Sequence, residues 1–169
     1  MGYALFAQRK LVLDSQLNAA QLQQTQRSNE QYQLATKTLS LQQQLSSLQA
    51  AQAFELQPMY QELSNAGNNL DQDKYKNADG TLSDNYYKEI EQKRADINAK
   101  ILSKQEKFKV EEDQINQQIY IVGVKENAIE MEVKRLDTQV TALQKQLEAT
   151  EEAEGAAIDR ANPKFRGVG

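Results

Sequence analysis

Seven apolar residues, Ile101, Phe108, Ile115, Val122, Ile129, Leu136 and Leu143, stand seven positions apart without a break. Such a series marks the seam of a coiled-coil helix. A companion column four residues on holds Ile119, Val133, Val140 and Leu147, but also Gln105, Glu112 and Glu126, so the stripe is full only in its C-terminal part. An isolated helix of this kind is marginal in water at its polar end and requires a packing partner. The pattern predicts one long helix over residues 84–158.

The partner is the first half of the chain. Residues 1–66 are rich in Ala, Leu and Gln, all strong helix formers, and contain no glycine between Tyr3 and Ala66. Leu34, Leu41 and Leu48 repeat every seven residues, and Leu45 lies in the companion series. Beyond Leu48 the filled line runs through Gln52, Leu56, Met59 and Leu63. Its two successive steps of four amount to a stutter, which locally unwinds a left-handed supercoil. Pro58 falls in this stretch and is expected to kink or interrupt the helix. Upstream, Phe6, Leu13, Leu17 and Ala20 form a second stripe, whereas residues 23–31 contain nothing apolar and read as a solvated helix segment, the alternative being a register-setting layer or a hinge.

Residues 67–83 form the connection, a cluster of Asn, Asp, Gly and Ser in which Gly67 is placed to close the first helix, Asp79-Gly80 is a turn dipeptide and Ser83 is placed to cap the second. Asn77, Asp79 and Thr81 imitate the centre of an EF-hand calcium loop around Gly80. The ends of that loop fail, because Tyr75 stands at its first position and Tyr86 at its twelfth, where carboxylates belong. The segment is therefore read as an interhelical loop, with no metal ligated and no cofactor bound, and Tyr60, Tyr75, Tyr86 and Tyr87 as packing residues at the hairpin end.

One stretch departs from the pattern. Ile119, Tyr120, Ile121, Val122 and Val124 are apolar on every side of a helix, while their β-branched side chains also suit a strand. As a helix, this stretch is too apolar for a single neighbour and predicts a self-association surface, together with Tyr3, Leu5 and Phe6 at the N-terminus. A buried turn within one protomer is the competing reading. After Leu147, Gly155 and Asn162-Pro163 weaken and then stop the helix, leaving a basic tail over residues 159–169.

What remains excludes most chemistry. The chain has no Cys and no His, which removes disulfides, thiolate and imidazole metal sites and Ser/His or Cys/His catalysis; it is not expected to be an enzyme. Its 24 acids and 20 bases are interleaved, which disfavours nucleic-acid binding. They are also unequally placed, with four of each in residues 1–70 and the rest beyond. No apolar run reaches membrane-spanning length, and the start of the chain lacks the order of a cleaved signal, so the expected location is cytoplasmic or exported without one. The sequence thus predicts an all-α protein, a long antiparallel helical hairpin with a polar turn region and a short C-terminal tail, acting as a self-assembling homo-oligomer. The alternative is an adaptor or chaperone-like coiled coil that takes a helix of another protein into the under-filled seam of residues 20–33 or 101–115. The layout resembles that of filament subunits exported by flagellar and type III secretion systems. Those pair N- and C-terminal helices around a variable middle, and the NPKFRGVG ending departs from them.

Overall fold

A computed structural model of the chain describes residues 2–68 and 70–161. It is all-α: helix α1 (Gly2–Ser64), a short 3-10 helix (Gln72–Tyr75) and helix α2 (Asp84–Ala161), with no strand among the described residues. The contacts fall into two units, and within each a stretch of α1 packs antiparallel against a stretch of α2, as in a helical hairpin. The first joins α1 up to Lys37 with α2 from Val122 onward; the second is Thr38–Ile121.

In the first unit the antiparallel register is fixed by polar pairs. Lys10 meets Glu151 at 2.5 Å and the Gln24 amide donates to Asp137 at 3.2 Å, so fourteen residues forward on α1 correspond to fourteen back on α2. Between these levels lies a core of Leu13, Ala20, Val140 and Leu143, with Leu17 and Leu147 packed on it. Leu136 is only 1% exposed. Burying a leucine of this kind contributes roughly 1.5 to 3 kcal/mol. Thr150 is also buried, and its hydroxyl donates to the Gln146 carbonyl at 2.8 Å, which satisfies it within its own helix.

The polar stretch at residues 23–31 is not simply solvated. Gln24, Arg27 and Gln31 continue the three-and-four spacing that links Ala20 to Leu34, and all three are half-buried. Arg27 forms an ion pair through Nε with Glu132 at 3.1 Å and donates through a terminal nitrogen to Glu30 at 2.6 Å. Polar side chains thus occupy seam positions and bond across the hairpin.

In the second unit the core is Leu56, Ala66, Ile97 and Ile101, with Met59 and Leu63 packed against it. The phase change expected on α1 is present, with Leu48 and Gln52 half-buried and Leu56 buried. Helix α2 makes the same change through Ile97, Ile101 and Gln105, all at least half-buried. Two steps of four on both helices keep the facing stripes in phase. Pro58 lies inside this region, and α1 runs through it to Ser64, so of the expected kink or interruption the interruption does not occur. Proline removes the hydrogen bond to the carbonyl four residues back. Here that residue is Phe54, which like Pro58 lies on the solvent side, where water can replace the lost donor.

The connection is more ordered than a polar linker. The Asp71 carboxylate accepts from the Asp73 amide at 3.2 Å and caps the 3-10 helix. Lys76 and Leu82 then form an antiparallel bridge around a three-residue tip, with Asn77 N–H donating to Thr81 O at 2.7 Å and Gly80 N–H to Asn77 O at 2.9 Å. Gly80 has φ +83°, the left-handed geometry that such a tip requires and glycine adopts freely. Gly67 does not close α1 in that way, since Gly80 is the described glycine with positive φ. Its smallness serves packing instead: an added Cβ would sit 3.3 Å from Ile90 Cδ1. Ser83 meets the start of α2 through its carbonyl, which accepts from Tyr86 N–H at 3.0 Å.

Candidate assembly surfaces

The heptad stripe is turned inward. Ile101, Leu136, Val140, Leu143 and Leu41 are buried, and Phe108, Ile115, Ile129, Val133, Leu147, Leu34, Leu45 and Leu48 are half-buried. The under-filled seam positions are also occupied by the chain itself. Gln49 donates to Glu112 at 3.2 Å, Gln105 donates to the Tyr60 hydroxyl at 2.9 Å, and Lys104 pairs with Glu55.

Residues 119–124 are helical, which removes the strand reading. The helix divides them. Val122 is buried and Ile119 half-buried on the seam side, whereas Tyr120 is 72%, Ile121 52% and Val124 51% exposed. In the first unit exposed Met131 shares a face with Val124, because residues seven apart lie on one stripe. At the N-terminus Leu5 is exposed and Phe6 half-buried; the side chain of Tyr3 and residues 162–169 of the tail lie outside the described residues.

The loop residues are committed to each other. The Asp79 carboxylate accepts from the Thr81 hydroxyl at 2.6 Å and its amide at 3.0 Å, and the Asn77 amide donates to the Thr81 hydroxyl at 3.1 Å. Those bonds from Thr81 hold the Asp79 carboxyl below its ordinary range. Asp73 is held low by its bond to Lys76 at 2.7 Å. No cluster of three potential metal-ligating side chains occurs among the described residues. Of the tyrosines, Tyr86 is the hub: its ring lies 5.7 Å from Tyr75 and 5.5 Å, edge-on, from Tyr87, and its hydroxyl donates to the Gly67 carbonyl at 3.2 Å. Tyr75 donates to Glu89, which raises its hydroxyl above the usual range.

On α2 the bond from Lys134 lowers Glu130, and across the first unit the bond to Glu151 raises Lys10. The same unit holds a groove of about 440 Å³ with Leu34, Ala128 and Ile129 along it and Lys37 and Lys125 at its sides. Neither lysine makes an ion pair or hydrogen bond among the described residues, whereas Glu30, also on the groove, is taken up by Arg27. Sequence reasoning missed this groove because it is composed by two helices at once; the spacing of Leu34 and Ile129 gave only its floor.

Among the described residues no helix is long and apolar enough to cross a membrane. A scan against protein-family models and searches of curated proteins and of solved structures found no match for the chain.

Proposed function

We propose that the protein is a structural, self-assembling helical subunit, of the kind that builds a filament or a secretion appendage. The observation that carries this reading is the apolar side chains left exposed on the outer side of α2 in each unit, Tyr120 and Ile121 in the second and Val124 and Met131 in the first, where the opposite stripe is already spent on packing against α1. Apolar side chains grouped on one exposed face gain from burial against another surface. The open grooves and mutually bonded loop residues favour association over catalysis, which needs convergent polar groups in an enclosing pocket.

The test is light scattering with electron microscopy over a concentration series, on the wild type and on Ile121→Asp. The wild type is expected to polymerise and the variant to remain unassembled with the same helical circular dichroism, because position 121 faces solvent. A wild type that stays monomeric at high concentration and binds a foreign helix would replace this reading with the adaptor one.

A further inference from the structure

The groove of the first unit presents a base, an apolar floor and a second base. Lys37 on α1 and Lys125 on α2 flank Leu34 and Ile129, and both ammonium groups are unpaired among the described residues. Such a surface selects an occupant that brings an apolar side chain together with carboxylates.

The chain itself carries that occupant, in its other unit. Leu102, Glu106, Val110 and Asp113 follow one another at steps of four, four and three on α2, which places them along one face of a helix. All four are exposed, Leu102 at 59% and Val110 at 56%, because the seam residues Ile101, Phe108 and Ile115 occupy the opposite side. Neither Glu106 nor Asp113 has a hydrogen bond or ion pair among the described residues, in contrast to Glu55, Glu112, Glu130, Glu132 and Glu151, which are engaged. Glu106 and Asp113 lie about 10 Å apart along the axis with Val110 between them. Lys109, seven residues after Leu102, lies on this face between Glu106 and Asp113, so the face carries two carboxylates and one ammonium group.

We infer that the groove formed by Leu34, Lys37, Lys125 and Ile129 receives the Glu106–Val110–Asp113 face of a second copy of the chain. The two surfaces are different parts of the molecule, so the contact is head-to-tail. A head-to-tail contact leaves a free groove at one end and a free acidic face at the other, and repeats into a polymer unless the rotation closes a ring. This deepens the assembly reading and rests on it.

Charge reversal tests the pairing directly. Lys37→Glu/Lys125→Glu and Glu106→Lys/Asp113→Lys change exposed positions, so both variants are expected to keep wild-type helicity. Each alone is expected to raise the concentration needed for assembly by about tenfold or more. Mixed in equal amounts they are expected to assemble again, because every contact between unlike copies then joins opposite charges. Added salt should weaken wild-type assembly by screening these exposed groups. Wild-type assembly with both variants polymerising alone as well as it does, or with a mixture that stays unassembled, overturns this contact and leaves the assembly reading standing. Failure of the wild type to assemble at any concentration overturns both.

Discussion

The two units solve the same problem, holding one antiparallel register, with different means. In the second unit the connection does much of it: Asp71, the Lys76–Leu82 bridge and the Tyr86 bond to Gly67 tie the loop to the first turns of α2, and the core beside it is nearly all aliphatic. The first unit has no such turn among its described residues. There the register is held by pairs that only one alignment satisfies, Lys10 with Glu151, Gln24 with Asp137 and Arg27 with Glu132. Half-exposed pairs of this type add little net stability, typically under about 1 kcal/mol each. Their contribution is specificity, since a slip by one heptad would leave each without its partner. The second unit thus adds a covalent turn to its own cross-helix pairs, Gln49 with Glu112 and Lys104 with Glu55, whereas the described residues of the first unit hold the register with such pairs and no turn.

The comparison breaks most visibly at Leu136. Leu136→Ala removes the most buried large side chain of the first unit and is expected to cost about 2 to 5 kcal/mol, read as a fall in the denaturation midpoint. Hydrogen exchange should quicken in residues 10–27 and much less in residues 45–60. Equal acceleration in both would show that the units open together and that their difference has no energetic meaning.

A smaller effect of opposite sign is expected at Thr38, where the second unit meets its boundary. The Thr38 hydroxyl is buried without a hydrogen-bond partner. Thr38→Val removes that unsatisfied group at nearly constant shape and should stabilise by about 1 kcal/mol. Thr36→Val is the control: its hydroxyl already donates to the Tyr32 carbonyl at 2.9 Å on an exposed face, so no gain should appear.

The smallest effect is on pH dependence, and it sharpens the contrast between the two units. Asp73 and Asp79 are held low in the folded loop by Lys76 and Thr81 respectively. A depressed folded value means stabilisation that is complete above the ordinary carboxylate range, near about 4, and is lost as pH falls through the lower folded value. Lys10, raised by Glu151, contributes in the reverse sense: fully below its ordinary range and lost as pH rises through the folded value. Acid should therefore disturb the loop of the second unit, read from the Thr81 amide resonance, and the Glu130–Lys134 pair of the first, while alkali acts on Lys10 of the first unit and on Lys76, raised by Asp73, in the second. Acid loosening confined to the first unit would reverse the assignment.

Much of the architecture was legible because apolar side chains state a helical face unambiguously. The series from Ile101 to Leu143 located α2, and Leu34, Leu41 and Leu48 located its partner. What escaped was polar. Gln24, Arg27 and Gln31 stand in phase with Ala20 and Leu34, but glutamine and arginine are equally at home in water, so their phase was the only signal of a cross-helix role. Whether Pro58 would end α1 was not legible, because its cost depends on whether the orphaned carbonyl meets water, which position in the chain does not reveal. Gly67 misled for a similar reason: a glycine near a helix end suggests a left-handed cap, while here it makes room for Ile90. Of the candidate surface, the sequence located residues 119–124 but not the division between buried Val122 and exposed Ile121, because that division depends on where α1 lies.

The hairpin tip at Ala78-Asp79-Gly80 has a practical consequence. Its three residues are exposed, and the bonds that close it, Asn77 to Thr81 and Lys76 against Leu82, lie beneath. A peptide or label spliced between Ala78 and Asp79 would enter above a closed clasp, where exposed loop tips tolerate insertion best. The tip is thus a natural handle by which the molecule could be tagged, tethered or decorated without touching either helix.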